Sequence, residues 1–101
     1  MTDAYLVDTT YQKDGTIIKT IDKDPFLSCS LHKQLFDIIC QMAGVYYDER
    51  IDFVEISVED GYDILETFDF SNTPIDIADK FKELIRSYDE DIDDYIEFYC
   101  Y

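Results

Sequence analysis

The pattern of apolar and polar residues opens with a predicted β-hairpin. Two runs rich in Tyr, Val, Thr and Ile flank the tetrapeptide "QKDG" at residues 12–15. Asp14-Gly15 supplies the residue types that tight hairpin turns favour, because such turns need positive backbone φ angles. We therefore expect an antiparallel strand on each side of this turn.

A helix follows in the pattern, over about residues 30–43. Its apolar residues recur at the spacing of one helix face, and they are Leu31, Leu35, Ile38, Ile39 and Met42. Ser28 or Ser30 is available to cap the first turn, and Gly44 is placed to end the helix.

A second hairpin is predicted between residues 51 and 70. In "IDFVEISV" the side chains of Val54, Ile56 and Val58 would lie on one face of a strand. "EDGY" has the composition of a turn, and "YDILETFDF" would return as the second strand. The apolar face of that strand would consist of Tyr62, Ile64, Phe68 and Phe70.

The clearest local signal is a helix start in "SNTPID". Thr73 is a candidate N-cap, Pro74 suits the first helical position, and Asp76 would complete a Thr-x-x-Asp capping box. A helix over about residues 74–87 follows from it. Its apolar stripe would be Ile77, Ala78, Phe81, Leu84, Ile85 and Tyr88.

The C-terminal segment fits two structures. Helical spacing relates Tyr88, Ile92, Tyr95, Ile96 and Tyr99. Strand alternation relates Ile96, Phe98 and Cys100. We favour a short helix.

These elements together predict a single α+β domain over residues 1–101. Its expected order is ββαββα plus a tail. The antiparallel sheet would have about four strands from the two hairpins, with two or three helices on one face.

Composition adds an extreme acidity to this picture. The chain has 24 Asp and Glu residues against 8 Lys and Arg, a formal net charge of −16, whereas a small domain usually carries a magnitude of about 2–8. Its hydrophobic fraction of 47% is too high for a disordered acidic tail. Nucleic acids and anionic lipids repel such a chain, so we expect it to bind neither directly.

The chain also lacks the marks of secretion or membrane insertion. It has no run of about 18 apolar residues, and its N-terminus has neither a basic region nor an apolar region. Its 3 cysteines are an odd number without a CxxC pair, which favours reduced thiols. We therefore predict a cytoplasmic protein. The sequence does not determine an oligomeric state.

Metal and catalytic motifs are incomplete. Residues 89–100 open like a calcium-binding EF-hand loop, but Asp94 occupies its glycine position and Cys100 its glutamate position. Cys29-x-x-His32 is half of a zinc motif. With 1 histidine and no glycine-rich phosphate loop, no nucleophile and base can be paired. We predict no metal, no cofactor, no catalytic residues and no enzymatic activity.

The acidic residues are concentrated in two segments that contain no Lys or Arg, whereas Asp76 lies four residues before Lys80 on the helix between them. Carboxylates on alternate residues of a strand lie about 6.6–6.8 Å apart and can imitate a row of phosphates. The candidate partner-binding carboxylates are Glu59, Asp60, Asp63, Glu66, Asp69, Asp89, Glu90, Asp91, Asp93, Asp94 and Glu97. Tyr95, Tyr99 and Tyr101 are candidate anchors, because arginine stacks on aromatic rings.

In its size, its α+β order and its unpaired acidic segments 52–69 and 89–97, the chain resembles small acidic inhibitors encoded by phages and mobile elements. These include anti-CRISPR proteins, antirestriction DNA mimics and inhibitors of nucleases or glycosylases. The resemblance implies a non-enzymatic protein that occupies the DNA- or PAM-binding groove of a host nuclease. A CRISPR nuclease such as Cas9 is the first candidate target, and a restriction enzyme is the second.

Two alternatives remain open at the level of the sequence. An immunity protein that neutralises a basic nuclease toxin would use the same electrostatics. An intracellular adaptor domain would instead bind through an apolar patch around Phe26, Leu27, Tyr46 and Tyr47.

Overall fold

The computed structural model describes residues 3–45 and 52–101. The fold is α+β, as predicted, but its order in this part of the chain is βββαβααβ rather than ββαββα. The strands are β1 (Asp3–Tyr11), β2 (Ile17–Ile21), β3 (Leu27–Ser28), β4 (Phe53–Ser57) and β5 (Tyr95–Cys100). The helices are α1 (Lys33–Ala43), α2 (Val58–Thr67) and α3 (Ile75–Arg86), with a 3₁₀ turn at Phe70–Asn72.

The sheet has five antiparallel strands rather than about four. Four of them follow the order β2-β1-β5-β4, and the short β3 pairs with the start of β1.

The first predicted hairpin is confirmed, with Tyr11 opposite Ile17. Gly15 has a φ of 88°, and the Thr16 amide donates a hydrogen bond of 2.9 Å to Asp14 Oδ1. Gly15 therefore supplies the expected positive φ, whereas Asp14 supports the turn through its side chain rather than through a positive φ of its own.

The predicted C-terminal helix is wrong, because this segment forms β5, which lies between β1 and β4. Ile96, Phe98 and Cys100 are buried in the core. Helical spacing and strand alternation both exist here, and the strand prevails because it buries these three side chains and pairs its backbone on two sides.

The second predicted hairpin is also wrong beyond β4. Val54 and Ile56 share a buried strand face as expected, but Val58 begins α2. Ser57 caps this helix, because its hydroxyl accepts a hydrogen bond of 3.0 Å from the Asp60 amide. The acidic residues of the first turn also favour a helix start through the helix dipole.

Gly61 lies inside α2 and not in a turn. A Cβ atom at this position would lie 2.7 Å from Ile85 Cδ1 of α3. The glycine therefore permits a close approach of two helices, and a local sequence pattern does not distinguish this role from a turn.

The other two helices were predicted, although their caps differ. Gly44 ends α1 with a φ of 73°, as expected. The helix begins at Lys33, and Leu31 is 83% exposed, so Leu31 does not belong to the buried stripe.

The predicted capping box at the start of α3 is wrong. Pro74 occupies the cap position, and no side chain caps the helix. The Thr73 amide donates to the Phe70 carbonyl and so closes the preceding 3₁₀ turn. The predicted stripe is confirmed at its centre, where Ala78, Phe81 and Ile85 are buried.

The core lies between one face of the sheet and the three helices. Phe36, Phe81 and Phe98 are among its largest fully buried side chains. Phe26 and Leu27 also belong to it, so the predicted apolar surface patch is wrong at these two residues. Its other members, Tyr46 and Tyr47, lie outside the described residues.

We expect Gly61→Ala to lower the free energy of unfolding by about 1 kcal/mol, although alanine favours helices. The added methyl group overpacks the contact with Ile85 by about 1–3 kcal/mol, and the gain in helix propensity is about 1 kcal/mol at most. Urea unfolding measures this change.

Ile85→Val removes the nearest atom, so the double variant should lose less stability than the sum of the two single changes. An increase in stability on Gly61→Ala alone would contradict the close packing of α2 on α3.

Candidate functional site

One face of α2 carries a row of carboxylates. Glu59, Asp63 and Glu66 are exposed and follow at four and three residues, whereas Val58, Gly61 and Ile64 of the same helix are buried. The rise of an α-helix separates these carboxylates by about 6 and about 4.5 Å along its axis. The acidic row predicted on a strand therefore lies on a helix, at a similar spacing.

The second acidic segment is a loop from residue 89 to residue 94. Asp89 Oδ1 accepts the Asp91 amide at 3.1 Å, and Asp94 Oδ1 accepts the Tyr95 amide at 2.8 Å. The Ile92 amide donates to the Asp89 carbonyl at 3.0 Å. These local turns hold the loop in a defined conformation without any basic residue in it.

The two acidic segments meet because of the sheet. In the antiparallel pair of β4 and β5, Ser57 lies opposite Tyr95. The end of β4, where α2 begins, is therefore beside the start of β5, where the acidic loop ends. The Val58 amide donates to the Asp94 carbonyl at 3.0 Å, and the Tyr62 hydroxyl donates to the Tyr88 carbonyl at 2.5 Å.

Between α2 and the loop lies an open groove with a volume of about 530 Å³, which we call the acidic groove. Seven carboxylates line it, and they belong to Glu59, Asp63, Glu66, Glu90, Asp91, Asp93 and Asp94. No Lys or Arg within residues 3–45 and 52–101 lines the groove or pairs with these carboxylates. The acidic groove therefore has a strongly negative electrostatic potential and is open to water.

Four of the predicted carboxylates lie outside the acidic groove lining. Asp60 is half-buried in the first turn of α2, and Asp89 is used in its own turn. Asp69 accepts the Ser71 amide at 3.0 Å, and hydrogen bonding to Ser71 lowers the pKa of Asp69. Glu97 pairs with Lys19 at 3.1 Å on the sheet.

The predicted tyrosine anchors do not line the acidic groove. Tyr95, Tyr99 and Tyr101 lie at or just after β5, and their side chains face the side of the sheet opposite the core, which we call the open face. Tyr5 and Phe53 flank Tyr99 on this face, and neither is among the residues predicted from the sequence. The alternation of β1 and β4 was the signal that could have found them.

The cysteines and the histidine have structural surroundings. Cys29, Cys40 and Cys100 are buried, and burial raises the pKa of the Cys40 thiol to about 11. His32 Nδ1 accepts the Ser28 amide at 2.9 Å. Within the described ranges, no group of three or more His, Cys, Asp or Glu side chains could hold a metal ion.

None of the helices in the described part of the chain has both the length and the apolar composition needed to cross a bilayer.

The chain matches no family model, no curated protein and no solved structure with significance.

A second crowding of carboxylates lies on the first hairpin. A hydrogen bond with the Asp8 side chain raises the pKa of Asp22, and partial burial and the charges of Asp8 and Asp24 add to this effect. A raised pKa means that the protonated pair stabilises the fold at acidic pH, and this contribution is lost as pH rises through the raised pKa.

We expect Asp22→Asn to raise the free energy of unfolding at neutral pH by about 0.5 kcal/mol or less, because the pair is largely in water. The gain should vanish below the ordinary carboxyl pKa of about 3.9. Thermal unfolding across this pH range measures it.

Asp14→Asn on the same hairpin is the matched control. Hydrogen bonding to Thr16 lowers the pKa of Asp14, so its ionised form stabilises the fold at neutral pH. This variant should lose stability at neutral pH, and a change of the same sign in both variants would contradict the assignment.

In the acidic groove, we expect Asp63→Asn with Glu66→Gln to raise stability by about 0.5 kcal/mol at low salt, because the double change relieves like-charge repulsion. The gain should shrink at high salt, where the repulsion is screened. Asp79→Asn with Glu83→Gln makes the same charge change on α3, where basic residues are interspersed, and should give no gain. Equal gains in both pairs would mean that net charge alone is responsible.

Proposed function

We propose that this chain is a non-enzymatic inhibitor that mimics DNA and occupies the basic nucleic-acid-binding groove of a defence nuclease. A CRISPR nuclease is the leading target and a restriction enzyme is the second. A cytoplasmic location, where such nucleases act, is part of the proposal.

The acidic groove is the observation that carries this proposal. Two segments that are distant in sequence contribute seven carboxylates to one surface. Their mutual repulsion is not offset by Lys or Arg within the described residues, and a basic partner would relieve it. The spacing along α2 is comparable to that of phosphates, which follow at about 3.4 Å along the axis of a DNA strand and further apart along its winding path.

An immunity protein against a basic nuclease toxin would use the same groove. The physics of binding does not differ between these two targets, because both present Lys and Arg to DNA. The identity of the captured protein separates them.

The test is a pull-down from a bacterial lysate that has been treated with nuclease, with elution in steps of increasing salt. We expect one basic nucleic-acid-binding protein to be retained, to be released by salt, and to be displaced by added duplex DNA. Retention at high salt that is insensitive to DNA would contradict the proposal.

A matched pair of variants makes the test specific to the acidic groove. Glu59→Gln, Asp63→Asn and Glu66→Gln remove three carboxylates from α2, and Asp76→Asn, Asp79→Asn and Glu83→Gln remove three exposed carboxylates from α3. Both triple variants change the net charge equally. We expect a loss of affinity of about tenfold or more for the α2 variant and less than about threefold for the α3 variant. Equal losses of affinity in the two triple variants would mean that the net charge, and not the acidic groove, is responsible for binding.

A further inference from the structure

The open face of the sheet carries a row of aromatic rings across three strands. Tyr5 lies opposite Tyr99 in the pairing of β1 with β5, and Phe53 lies opposite Tyr99 in the pairing of β4 with β5. The Phe53 and Tyr99 ring centroids are 5.0 Å apart. Tyr101 stacks on Tyr99 at 6.1 Å with an interplanar angle of 27°.

Phe53 and Tyr101 at the ends of this aromatic row are exposed, whereas Tyr5 and Tyr99 are half-buried. Phe53 is 49% and Tyr101 is 73% accessible, and Tyr95 on the same face is 55% accessible. The helices pack on the opposite face, so no described helix covers these rings. Contiguous exposed aromatic surface of this kind usually marks a contact site, and the sheet register holds the rings in place before any partner arrives.

The charges beside the aromatic row indicate what binds there. Glu55 lies directly opposite Glu97, which is an unfavourable arrangement of like charges. Lys19 pairs with Glu97 at 3.1 Å, and Glu55 is exposed. A second copy of this chain would bring another 16 net negative charges to the complex, whereas a cationic partner would neutralise the exposed Glu55.

The open face is also continuous with the acidic groove. A cleft of about 360 Å³ is lined by Asp94, Tyr95, Glu55 and Glu97 among others, and Asp94 lines the acidic groove as well. One partner can therefore contact both surfaces without a gap between them.

We propose that the open face is a second docking surface, for an arginine-bearing segment of the basic partner. The planar guanidinium groups stack on the exposed Phe53 and Tyr101 rings on either side of Tyr99 and pair with Glu55. Arginine suits this surface better than lysine, because its guanidinium group is planar, weakly hydrated and able to bind a carboxylate through two parallel hydrogen bonds. The inference rests on the proposed function, since both surfaces are assigned to one partner.

Arginine and lysine homopeptides of equal length test this inference by titration calorimetry. We expect the arginine peptide to bind about five- to tenfold more tightly than the lysine peptide, from stacking on one or two rings. Phe53→Ala with Tyr101→Ala should reduce this preference to within about twofold. Leu31→Ala, which removes an 83% exposed side chain elsewhere, should leave the preference unchanged.

The triple α2 variant separates this inference from the proposed function. It should weaken both peptides to a similar degree and preserve the preference for arginine. A preference that persists without Phe53 and Tyr101, or equal affinity of the two peptides for the native chain, would overturn the inference even if the acidic groove binds a nuclease.

Sedimentation equilibrium provides the remaining outcome. We expect the native chain and the Phe53→Ala, Tyr101→Ala variant to have the same oligomeric state. Their circular dichroism spectra should also agree, which shows that the variant is folded. A dimer of the native chain that is lost in this variant would assign the open face to a second copy and overturn the inference.

Discussion

The pairing of β4 with β5 is the interaction on which the rest of the structure depends. It buries Val54 and Ile56 beside Phe98 and Ile96, and it places the start of α2 beside the end of the acidic loop. Because β5 also pairs with β1, the same strand connects the first hairpin to the second half of the chain. Core, acidic groove and open face all derive from this one strand.

The fold tolerates its net charge of −16 by keeping charge out of the core. No charged or polar residue is buried in the described part of the chain, and the carboxylates of the acidic groove are in contact with water. Water reduces the repulsion between exposed carboxylates, whereas the low dielectric of the core would amplify it. The burial of aromatic and aliphatic side chains stabilises the fold against the repulsion between the carboxylates.

The acidic groove and the open face are two chemically different surfaces, and Asp94 lies at the boundary between them. The charged groups that line the acidic groove are all carboxylates, which any dense array of Lys and Arg can match. The open face offers aromatic rings beside the exposed Glu55, and in the proposed complex this combination favours the planar guanidinium group of arginine. An acidic protein with only the groove would attract many basic proteins, and in the proposed complex the aromatic row would discriminate among them.

Local chemistry in the sequence determined the first hairpin, the strand β4, the helix α3 and the end of α1 at Gly44. Each of these has a strong local signal, such as a turn residue or a long periodic stripe. The acidic residues were also evident, and seven of the predicted eleven carboxylates line the acidic groove.

Tertiary structure decided between helix and strand at Val58–Thr67 and at Tyr95–Cys100, where the local signals conflict. The sequence around Gly61 is typical of a turn, but in the structure this glycine permits the close contact with Ile85. The sequence of β5 fits the spacing of a helix as well as that of a strand, and pairing with β1 and β4 selects the strand. Short segments carry ambiguous patterns, and partners distant in sequence resolve them. The meeting of the two acidic segments likewise follows from strand pairing, which no local pattern encodes.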